Sequence, residues 1–269
     1  MSTRVKEPKA VFLTGAGLSA DSGVPTYRGE GGIYNGMRAE KVMSAWTMKH
    51  NPDVIYRFCD DRRVELDGVR PNAAHMVIEE LASEFGERIV HLTQNIDGLC
   101  PGAIELHGRL TRMRSIGNSH VTTDIGFTRY WDGDPERECP GGFRFRCPKT
   151  NSHFRPDVVL FDEPAPAYSK LWKVVRSLRR WDVLVVIGTQ GSVLPVEDFA
   201  RGAPCLTVLN NLHESADIDE DAFDIVLRKR AAEAAAEIGE IVRKRLGMTA
   251  GIDRSEDADL PGKPAMDLA

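Results

Sequence analysis

The chain of 269 residues lacks the features that mark secreted, membrane-spanning and nucleic-acid-binding proteins. Its five cysteines are scattered and odd in number, so we do not expect a disulfide framework. It has no apolar run long enough to span a bilayer, and its first ten residues, MSTRVKEPKA, lack the apolar core of a signal peptide. A net charge of −5 gives no general attraction to nucleic acid or to an anionic membrane. We expect a cytoplasmic protein without such partners, and a monomer because no long apolar seam is present.

Short apolar runs alternate with longer amphipathic stretches along most of the chain. The candidate buried strands are Ala10–Thr14, Ile89–Thr93, Val158–Phe161, Val183–Ile187, Leu206–Leu209 and Asp224–Leu227. The candidate helices are Pro52–Leu66, Asn72–Phe85, Ser169–Trp181 and Arg230–Leu246. Strands that are apolar throughout and alternate with helices predict an α/β fold, with a Rossmann-like parallel sheet covered by helices on both faces.

Two segments interrupt this alternation. Residues 29–66 are polar and then helical, and residues 114–154 are rich in Gly, Ser, Thr, Arg and Pro with little periodicity. We therefore expect a Rossmann-like domain built from residues 1–38, 67–113 and 155–246. Residues 39–66 and 114–154 are expected to form a small inserted domain, and residues 247–269, which are small and charged, a disordered tail.

A glycine turn follows the first strand, in the order Gly15-Ala16-Gly17-Leu18-Ser19-Ala20. Such glycines let the backbone approach a pyrophosphate, and the helix that follows supplies N–H donors; they are equally compatible with a tight turn alone. A dehydrogenase also needs an acidic residue about 20 positions on, at the end of a second strand. The stretch found there, GEGGIYNGMRAEKV, contains no strand. The pattern favours a nucleotide site that does not serve hydride transfer.

Three further polar clusters occur near the ends of predicted strands. They read TQNIDGL over Thr93–Leu99, IELHG over Ile104–Gly108 and IGTQGSVLP over Ile187–Pro195. Each alone is compatible with an ordinary turn. Together they lie where open α/β sheets bind ligands, so they predict one shared site at the carboxyl edge of the sheet.

Five segments in this order resemble the sirtuins, a family of NAD-consuming protein lysine deacylases. They are GAGLSADSGVPTYRG, TQNIDGL, ELHG, RPDVVLFDE and GTQGSVLP, with LNN after the next strand. The resemblance covers about residues 8–230. The stretch VPTYRGEGG, followed by a helix ending FCDDRR, is similar to the bacterial and mitochondrial branch that removes acidic acyl groups.

The resemblance implies NAD as co-substrate, an acyl-lysine protein as substrate, and a role for each matching position. The implied catalytic residues are His107, Asn95 and Asp97. The implied cofactor-binding residues are Gly15, Ala16, Gly17, Ser19, Tyr27, Arg28, Gln94, Asn95, Ile96, Asp97, Gly188, Thr189, Gln190, Ser192 and Asn210. The implied substrate-binding residues are Ala39, Arg62, Val158, Val159 and Phe161, with Asp157–Phe161 as a strand edge on which a peptide lies.

The reaction implied by the resemblance gives these residue types a physical reason. The acyl-lysine carbonyl oxygen attacks C1′ of the ribose as nicotinamide leaves, while Asn95 and Asp97 orient the nicotinamide. His107 is then the general base for the ribose hydroxyl, a task that suits an imidazole near neutral pH. The expected products are free lysine, nicotinamide and O-acyl-ADP-ribose.

The small domain departs from the family pattern of two cysteine pairs that bind structural zinc. RMRSIGNSH, where the first pair should begin, contains no cysteine. Cys139, Cys147, His120 and His153 offer four donors at irregular spacing, whereas structural zinc sites use short-spaced pairs. We expect no metal, with this region held instead by packing of its aromatic residues Tyr130, Trp131, Phe143 and Phe145.

The predicted acyl pocket also departs from the family pattern. Cys59 and Arg62 stand where the acidic-acyl branch has a tyrosine and an arginine, and Ala39 fits that branch's enlarged pocket. Arg62 is therefore either a partner for an acyl carboxylate or a solvated helix charge. Cys100, which follows TQNIDGL, is expected to be a buried apolar residue rather than a reactive thiol.

Two other functions remain open at this level. One is another NAD-cleaving activity, as a mono-ADP-ribosyltransferase or an NAD hydrolase that uses the same pocket. The other is a non-catalytic sensor of NAD or ADP-ribose. Retention of His107 and of Asn95-Ile96-Asp97 favours deacylation, because a sensor needs neither bond strain nor a base.

Overall fold

A computed structural model describes residues 7–26, 42–117, 120–127, 129 and 154–247, and only the backbone of residues 138–139 and 143–144. The strands in this part of the chain are β1 (Ala10–Thr14), β2 (Ile89–Thr93), β3 (Ile104–Glu105), β4 (Gly108–Ser115), β5 (Thr122–Asp124), β6 (Glu138–Cys139), β7 (Phe143–Arg144), β8 (Phe154–Val158), β9 (Val183–Ile187), β10 (Leu206–Asn210) and β11 (Ile225–Leu227). The helices are α1 (Gly17–Ala20), α2 (Ala45–His50), α3 (Pro52–Glu65), α4 (Ala73–Phe85), α5 (Tyr168–Arg176), α6 (Val196–Gly202) and α7 (Ala231–Gly247). Two short 3₁₀ turns cover Gly86–Arg88 and Glu220–Ala222.

A six-stranded parallel sheet forms the centre of the fold, in the order β11-β10-β9-β1-β2-β3. The predicted parallel sheet is therefore confirmed. The register aligns Thr14 with both Thr93 and Ile187, and Ile187 with Asn210. Four strands consequently end at one level, and the loops that follow them meet at one edge of the sheet.

Helices cover both faces of this sheet, as predicted. Phe12 of β1 packs on one face with buried residues of α4 and α7, whereas its neighbour Leu13 packs on the other with residues of α5 and α6. Successive side chains of a strand point to opposite faces, so a strand with helices on both sides is apolar at every position. This is why the run AVFLT is fully buried.

A second unit lies beside this sheet. The antiparallel sheet β5-β4-β8 packs against α3, and an apolar cluster of Tyr56, Met113, Ile125 and Phe154 lies between them. Strand β4 runs across the predicted boundary at residue 113, so the domain limits stay a prediction. Of the four candidate zinc donors only His120 has a described side chain. The absence of zinc therefore stays a prediction; the aromatic residues expected to replace the metal, and the tail from residue 248, lie outside the described residues.

The prediction of a buried parallel strand at Val158–Phe161 is wrong. The strand is Phe154–Val158, and it pairs antiparallel with β4. Val158 and Leu160 are buried because Met43, Ile55 and Cys59 cover them from the side of the second unit, which gives an apolar run without a central strand.

Helix boundaries differ from prediction by one residue in most cases and by five in one. The helix predicted over Ser169–Trp181 ends at Arg176, because the buried carboxylate of Asp182 accepts the backbone N–H groups of Arg179 and Lys9 and fixes a turn there. Asn72 caps α4 by accepting the N–H of Ala74. None of the helices in the described ranges is long and apolar enough to cross a membrane.

The loops after β1 and β9 touch through backbone atoms alone. Gly17 donates its N–H to the carbonyl of Gly188 at 2.8 Å. A Cβ added at Gly17 would lie 2.6 Å from Cα of Gly188, and a Cβ added at Gly188, where φ is +64°, would lie 2.5 Å from the nitrogen of Leu18. Neither position can hold a side chain without separating the two loops.

Replacement of Gly188 by alanine tests this contact. We expect the free energy of unfolding to fall by about 2–5 kcal/mol, because the left-handed φ and the overpacked backbone both oppose a Cβ. Gly68→Ala is the matched control, since φ is +82° there but no atom lies within 4 Å of the added Cβ. Chemical denaturation should give that control a loss of about 1–2 kcal/mol; equal losses for the two variants would contradict the account.

Candidate active site

A cavity of about 800 Å³ opens at the carboxyl edge of the parallel sheet. Its walls come from the loops that follow β1, β2, β9 and β10, together with the segment from β8 to α5. The predicted site residues on its wall are Gly15, Ala16, Gly17, Gln94, Asn95, Ile96, His107, Val158, Val159, Phe161, Gly188, Thr189, Gln190, Ser192 and Asn210. The shared site predicted from four separate polar clusters therefore exists in the fold as one cavity.

A smaller cavity of about 210 Å³ adjoins it. Ala16, Asn95 and Ile96 line both cavities, and Asp97 and Arg62 line only the smaller one. The Asn95-Ile96-Asp97 turn thus forms the wall between the two. Ser19 is fully buried and lines neither, whereas Tyr27, Arg28 and Ala39 lie outside the described residues.

Four N–H groups of the glycine turn are hydrogen-bonded to carbonyl groups of the protein. Helix α1 has only four residues, and the N–H groups of Gly15 and Gly17 are bonded to the carbonyls of Ile187 and Gly188. Those of Leu18 and Ser19 are bonded within the turn itself. The glycines are required for the close approach of two loops, and this requirement explains them without a pyrophosphate.

Ser19 is the centre of a buried hydrogen-bond network that holds the two polar residues of the turn. Its hydroxyl donates to Oδ2 of Asp97 at 2.7 Å and accepts from Nδ2 of Asn95 at 3.1 Å. Nε2 of His75 lies 3.3 Å away. Because Nδ1 of His75 accepts the N–H of Asn72, a neutral His75 carries its proton on Nε2 and donates it to Ser19.

The residues of this network hold one another by hydrogen bonds, and His75 favours its neutral form. Burial lowers the pKa of His75, and this effect outweighs the opposing influence of Asp97. The second oxygen of Asp97 accepts the N–H of Leu99 at 2.9 Å. Asn95 and Asp97 are 6% and 7% exposed, so both are held in fixed orientations at the cavity wall.

His107 is held by two contacts, one on each ring nitrogen. Nδ1 lies 3.0 Å from the backbone carbonyl of Gln94, and Nε2 lies 2.9 Å from the hydroxyl of Tyr168. Burial lowers the pKa of His107, opposed by the bond to Gln94. The imidazole is therefore neutral at pH 7, and a neutral ring is the form that can accept a proton.

The wall on the β9 and β10 side is organised by amide side chains. Nε2 of Gln94 donates to the hydroxyl of Thr189, and Nδ2 of Asn211 donates to the carbonyl of the same residue. Asn210 donates twice, to the carbonyls of Leu227 and Lys229. These bonds fix the loop after β9 against its neighbours on both sides.

The peptide edge predicted at Asp157–Phe161 has few open donors. The N–H groups of Val159, Leu160 and Phe161 are bonded to the carbonyl of His107, to Oε2 of Glu163 and to the carbonyl of Met43. A peptide along this edge would have to supply donors to its carbonyl groups or displace one of these partners. Burial raises the pKa of Glu163, but hydrogen bonds and charges from Arg155, Leu160 and Arg114 outweigh burial and lower it overall.

Arg62 lies apart from the other predicted substrate residues. It lines the smaller cavity, whereas Val158, Val159 and Phe161 line the larger one. Its guanidinium pairs with Glu65 at 2.6 Å, and its buried Nε has no hydrogen-bond partner among the described residues. It is therefore not a freely solvated charge.

The two cysteines that the sequence singled out near the site are buried. Cys59 is fully buried, and Cys100 is 6% exposed. Burial raises the pKa of each thiol to about 12. The expectation that Cys100 is a buried residue is confirmed.

Sequence reasoning missed His75 and Tyr168. A signal existed for His75, which stands three residues after the helix cap Asn72 in a capping-box position. Tyr168 carries no such signal, because it reaches His107 through a loop of irregular backbone. Lys229 and Arg230 also line the larger cavity, each paired with an acidic side chain.

Removal of the Ser19 hydroxyl tests the network. Ser19→Ala leaves Asn95, Asp97 and His75 each short of a buried partner, so we expect the free energy of unfolding to fall by about 2–4 kcal/mol. The control is Ser177→Ala, which removes an exposed hydroxyl that donates to the carbonyl of Val174 and accepts from Nζ of Lys9. Denaturant titration of both variants measures the difference, and a loss below about 1 kcal/mol for Ser19→Ala would show that the network does not hold the turn.

Comparison with known proteins gives one consistent result. A sequence model of the Sir2 family matches residues 15–195. The chain is 33% identical over 220 residues to an NAD-dependent protein deacylase of Campylobacter jejuni, covering 80% of this chain and 87% of that protein. It is 36% identical over 191 residues to an NAD-dependent protein deacylase of Thermococcus kodakarensis, covering 69% and 72%.

Solved structures agree with these sequence matches. The crystal structure of a Sir2 homolog–NAD complex superposes with a TM-score of 0.73 at 26% identity, covering 90% of this chain and 91% of that one. A second Sir2 enzyme structure superposes with a TM-score of 0.68 at 30% identity, covering 88% and 94%.

Proposed function

The chain belongs to the Sir2 family, and we propose that it is an NAD-dependent protein lysine deacylase. The observation that carries this proposal is the position of His107. Its half-buried imidazole, whose pKa is lowered by burial, lines the same cavity as Asn95, Ile96 and the residues expected to bind the adenosine half of NAD. A base and a nucleotide site that share one cavity suit a reaction in which NAD is cut.

The residues of the cavity fit NAD as co-substrate. A volume of about 800 Å³ lies within the usual range for cofactor pockets. Gly188, Thr189, Gln190, Ser192 and Asn210 would hold the adenosine half. When bound, NAD supplies an electrophilic ribose carbon and nicotinamide as the leaving group.

Asn95 and Asp97 would act by orienting the nicotinamide ring. Asp97 lines only the smaller cavity and Asn95 lines both, so the pair bounds a recess next to the larger cavity that would take the nicotinamide ring. Their amide and carboxylate groups are already held by Ser19, and a preorganised partner loses no orientation freedom when ligand binds.

His107 would act as the general base for a ribose hydroxyl. The Gln94 carbonyl can only accept, so Nδ1 carries the proton of the neutral ring and Nε2 keeps the lone pair. The hydroxyl proton would move to Nε2, and Nδ1–H on Gln94 would stabilise the resulting cation. We propose free lysine, nicotinamide and O-acyl-ADP-ribose as the products.

The His107→Ala variant separates catalysis from binding. We expect deacylation of an acetyl-lysine peptide to fall by about 10²-fold or more, because a positioned base contributes that much. NAD affinity, measured by calorimetry, should stay within about threefold, since the cavity wall is otherwise intact. A variant that still deacylates at the wild-type rate would exclude His107 as the base.

We further propose that the enzyme accepts acidic acyl groups such as succinyl. The support is Arg62, which lines the smaller cavity beside Asn95 and whose buried Nε has no partner in the described part of the chain. A carboxylate there would exchange the pairing with Glu65 for a charge-assisted bond.

The Arg62→Met variant tests this acyl preference. We expect the ratio of kcat/KM for succinyl-lysine over acetyl-lysine peptide to fall by about tenfold or more, because a charged hydrogen bond is lost for one substrate alone. Arg57→Met, on the exposed side of the same helix, is the control. An unchanged ratio in Arg62→Met would refute the preference and leave deacylation itself standing.

A further inference from the structure

The hydroxyl of Tyr168 lies against the nitrogen on which the proposed chemistry depends. Tyr168 is the first residue of α5, and its oxygen is 2.9 Å from Nε2 of His107. The two rings are 5.9 Å apart between centroids and tilted by 48°. Both side chains line the larger cavity, so the contact lies where substrate must arrive.

The direction of this hydrogen bond follows from the other side of the ring. Nδ1 of His107 faces the carbonyl of Gln94, which can only accept, so Nδ1 carries the hydrogen. In the neutral ring Nε2 then has one lone pair and no hydrogen. Tyr168 must therefore donate its O–H to that lone pair.

We propose that Tyr168 is a positioning residue that occupies the lone pair of His107 in the free enzyme and withdraws when the substrates bind. The inference rests on the proposed function, in which Nε2 takes a proton from a ribose hydroxyl. One lone pair cannot accept two hydrogens, so the tyrosine and the ribose hydroxyl compete for it. Until substrate arrives, the tyrosine holds the imidazole in the productive tautomer.

The surroundings of Tyr168 are compatible with this exchange. Its ring is half-buried beside the cavity, and α5 has no side-chain cap at this end. Its hydroxyl has no hydrogen-bond partner besides His107 in the described part of the chain.

The charged groups around His107 do not cause its lowered pKa. Glu105 and Arg109 flank it along the chain and pair with each other, Asp157 on β8 pairs with Arg112, and Glu163 pairs with Arg155. Asp162, in the loop before α5, is exposed. The lowered pKa of His107 arises from burial, opposed by the bond to Gln94, with no contribution from these charges.

The Tyr168→Phe variant provides the test, read first in the free protein. A hydrogen bond to the lone pair favours the neutral ring, so its loss should raise the pKa of His107 by about 0.5–1 unit. The measurement is an NMR titration of the His107 ring, assigned with His107→Ala. Ser169→Ala removes the adjacent exposed hydroxyl, which donates to the carbonyl of Pro166, and should leave the titration unchanged. An unchanged or lower pKa in Tyr168→Phe would overturn the proposal.

Steady-state kinetics give a second, independent test of the proposal. The acidic limb of kcat/KM against pH reports the free enzyme, and that of kcat reports the substrate complex. In Tyr168→Phe we expect the first limb to move to higher pH and the second to stay. Above both limbs kcat/KM should rise by about two- to tenfold, because no hydroxyl must be displaced. A fall in kcat with unchanged KM would show instead that Tyr168 relays the proton, and would overturn the proposal.

The NMR titration and the kinetics also distinguish a failure of this inference from a failure of the proposed function. The NMR titration needs no activity, so it decides whether Tyr168 occupies the lone pair even in a preparation without turnover. A chain that fails to deacylate any acyl peptide while Tyr168→Phe still raises the pKa of His107 would refute deacylation alone.

Discussion

The close backbone contact between Gly17 and Gly188 is the constraint on which the site depends. It brings the loops after β1 and β9 to a separation that no side chain tolerates. The loop after β2 is fixed to the first by Ser19 and to the second by Gln94 and Thr189. The cavity at the carboxyl edge exists because three loops are held together in this way, and not because the sheet alone defines a cleft.

The chemistry of the site follows from the burial of its polar groups. His75 and His107 both have lowered pKa values because burial opposes their charged forms. One of these neutral rings donates into the network that holds Asn95 and Asp97, and the other keeps a lone pair for a proton. The same physical effect thus favours the neutral form of both histidines, which serves orientation at His75 and leaves His107 able to accept a proton.

Much of the fold follows from periodicity, and the failures have identifiable causes. AVFLT and VLVVI are strands at the predicted residues because a strand covered on both faces is buried at every position, and IVHLT is also a strand there although its first three residues are only partly buried. The run VVLF gave a wrong prediction because Met43, Ile55 and Cys59 bury Val158 and Leu160 outside the parallel sheet.

The site residues that belong to sequence motifs could be predicted, whereas the roles that depend on tertiary contacts could not. Asn95, Asp97 and His107 follow strand ends and could be identified from the sequence. The role of Gly15 and Gly17 in backbone contact could not, because it needs the position of Gly188, more than 170 residues away. Tyr168 likewise reaches His107 only through the folded path of the β8–α5 segment.

The most direct test of the account is the dependence of nicotinamide release on the acyl peptide. The enzyme is incubated with NAD, with and without acetyl- or succinyl-lysine peptide, and nicotinamide and free lysine peptide are counted together. The account predicts that one nicotinamide is released for each lysine freed, with almost none in the absence of peptide. Equal release without peptide would show NAD hydrolysis or ADP-ribosylation, and NAD binding without any release would show a sensor; either result would contradict deacylation.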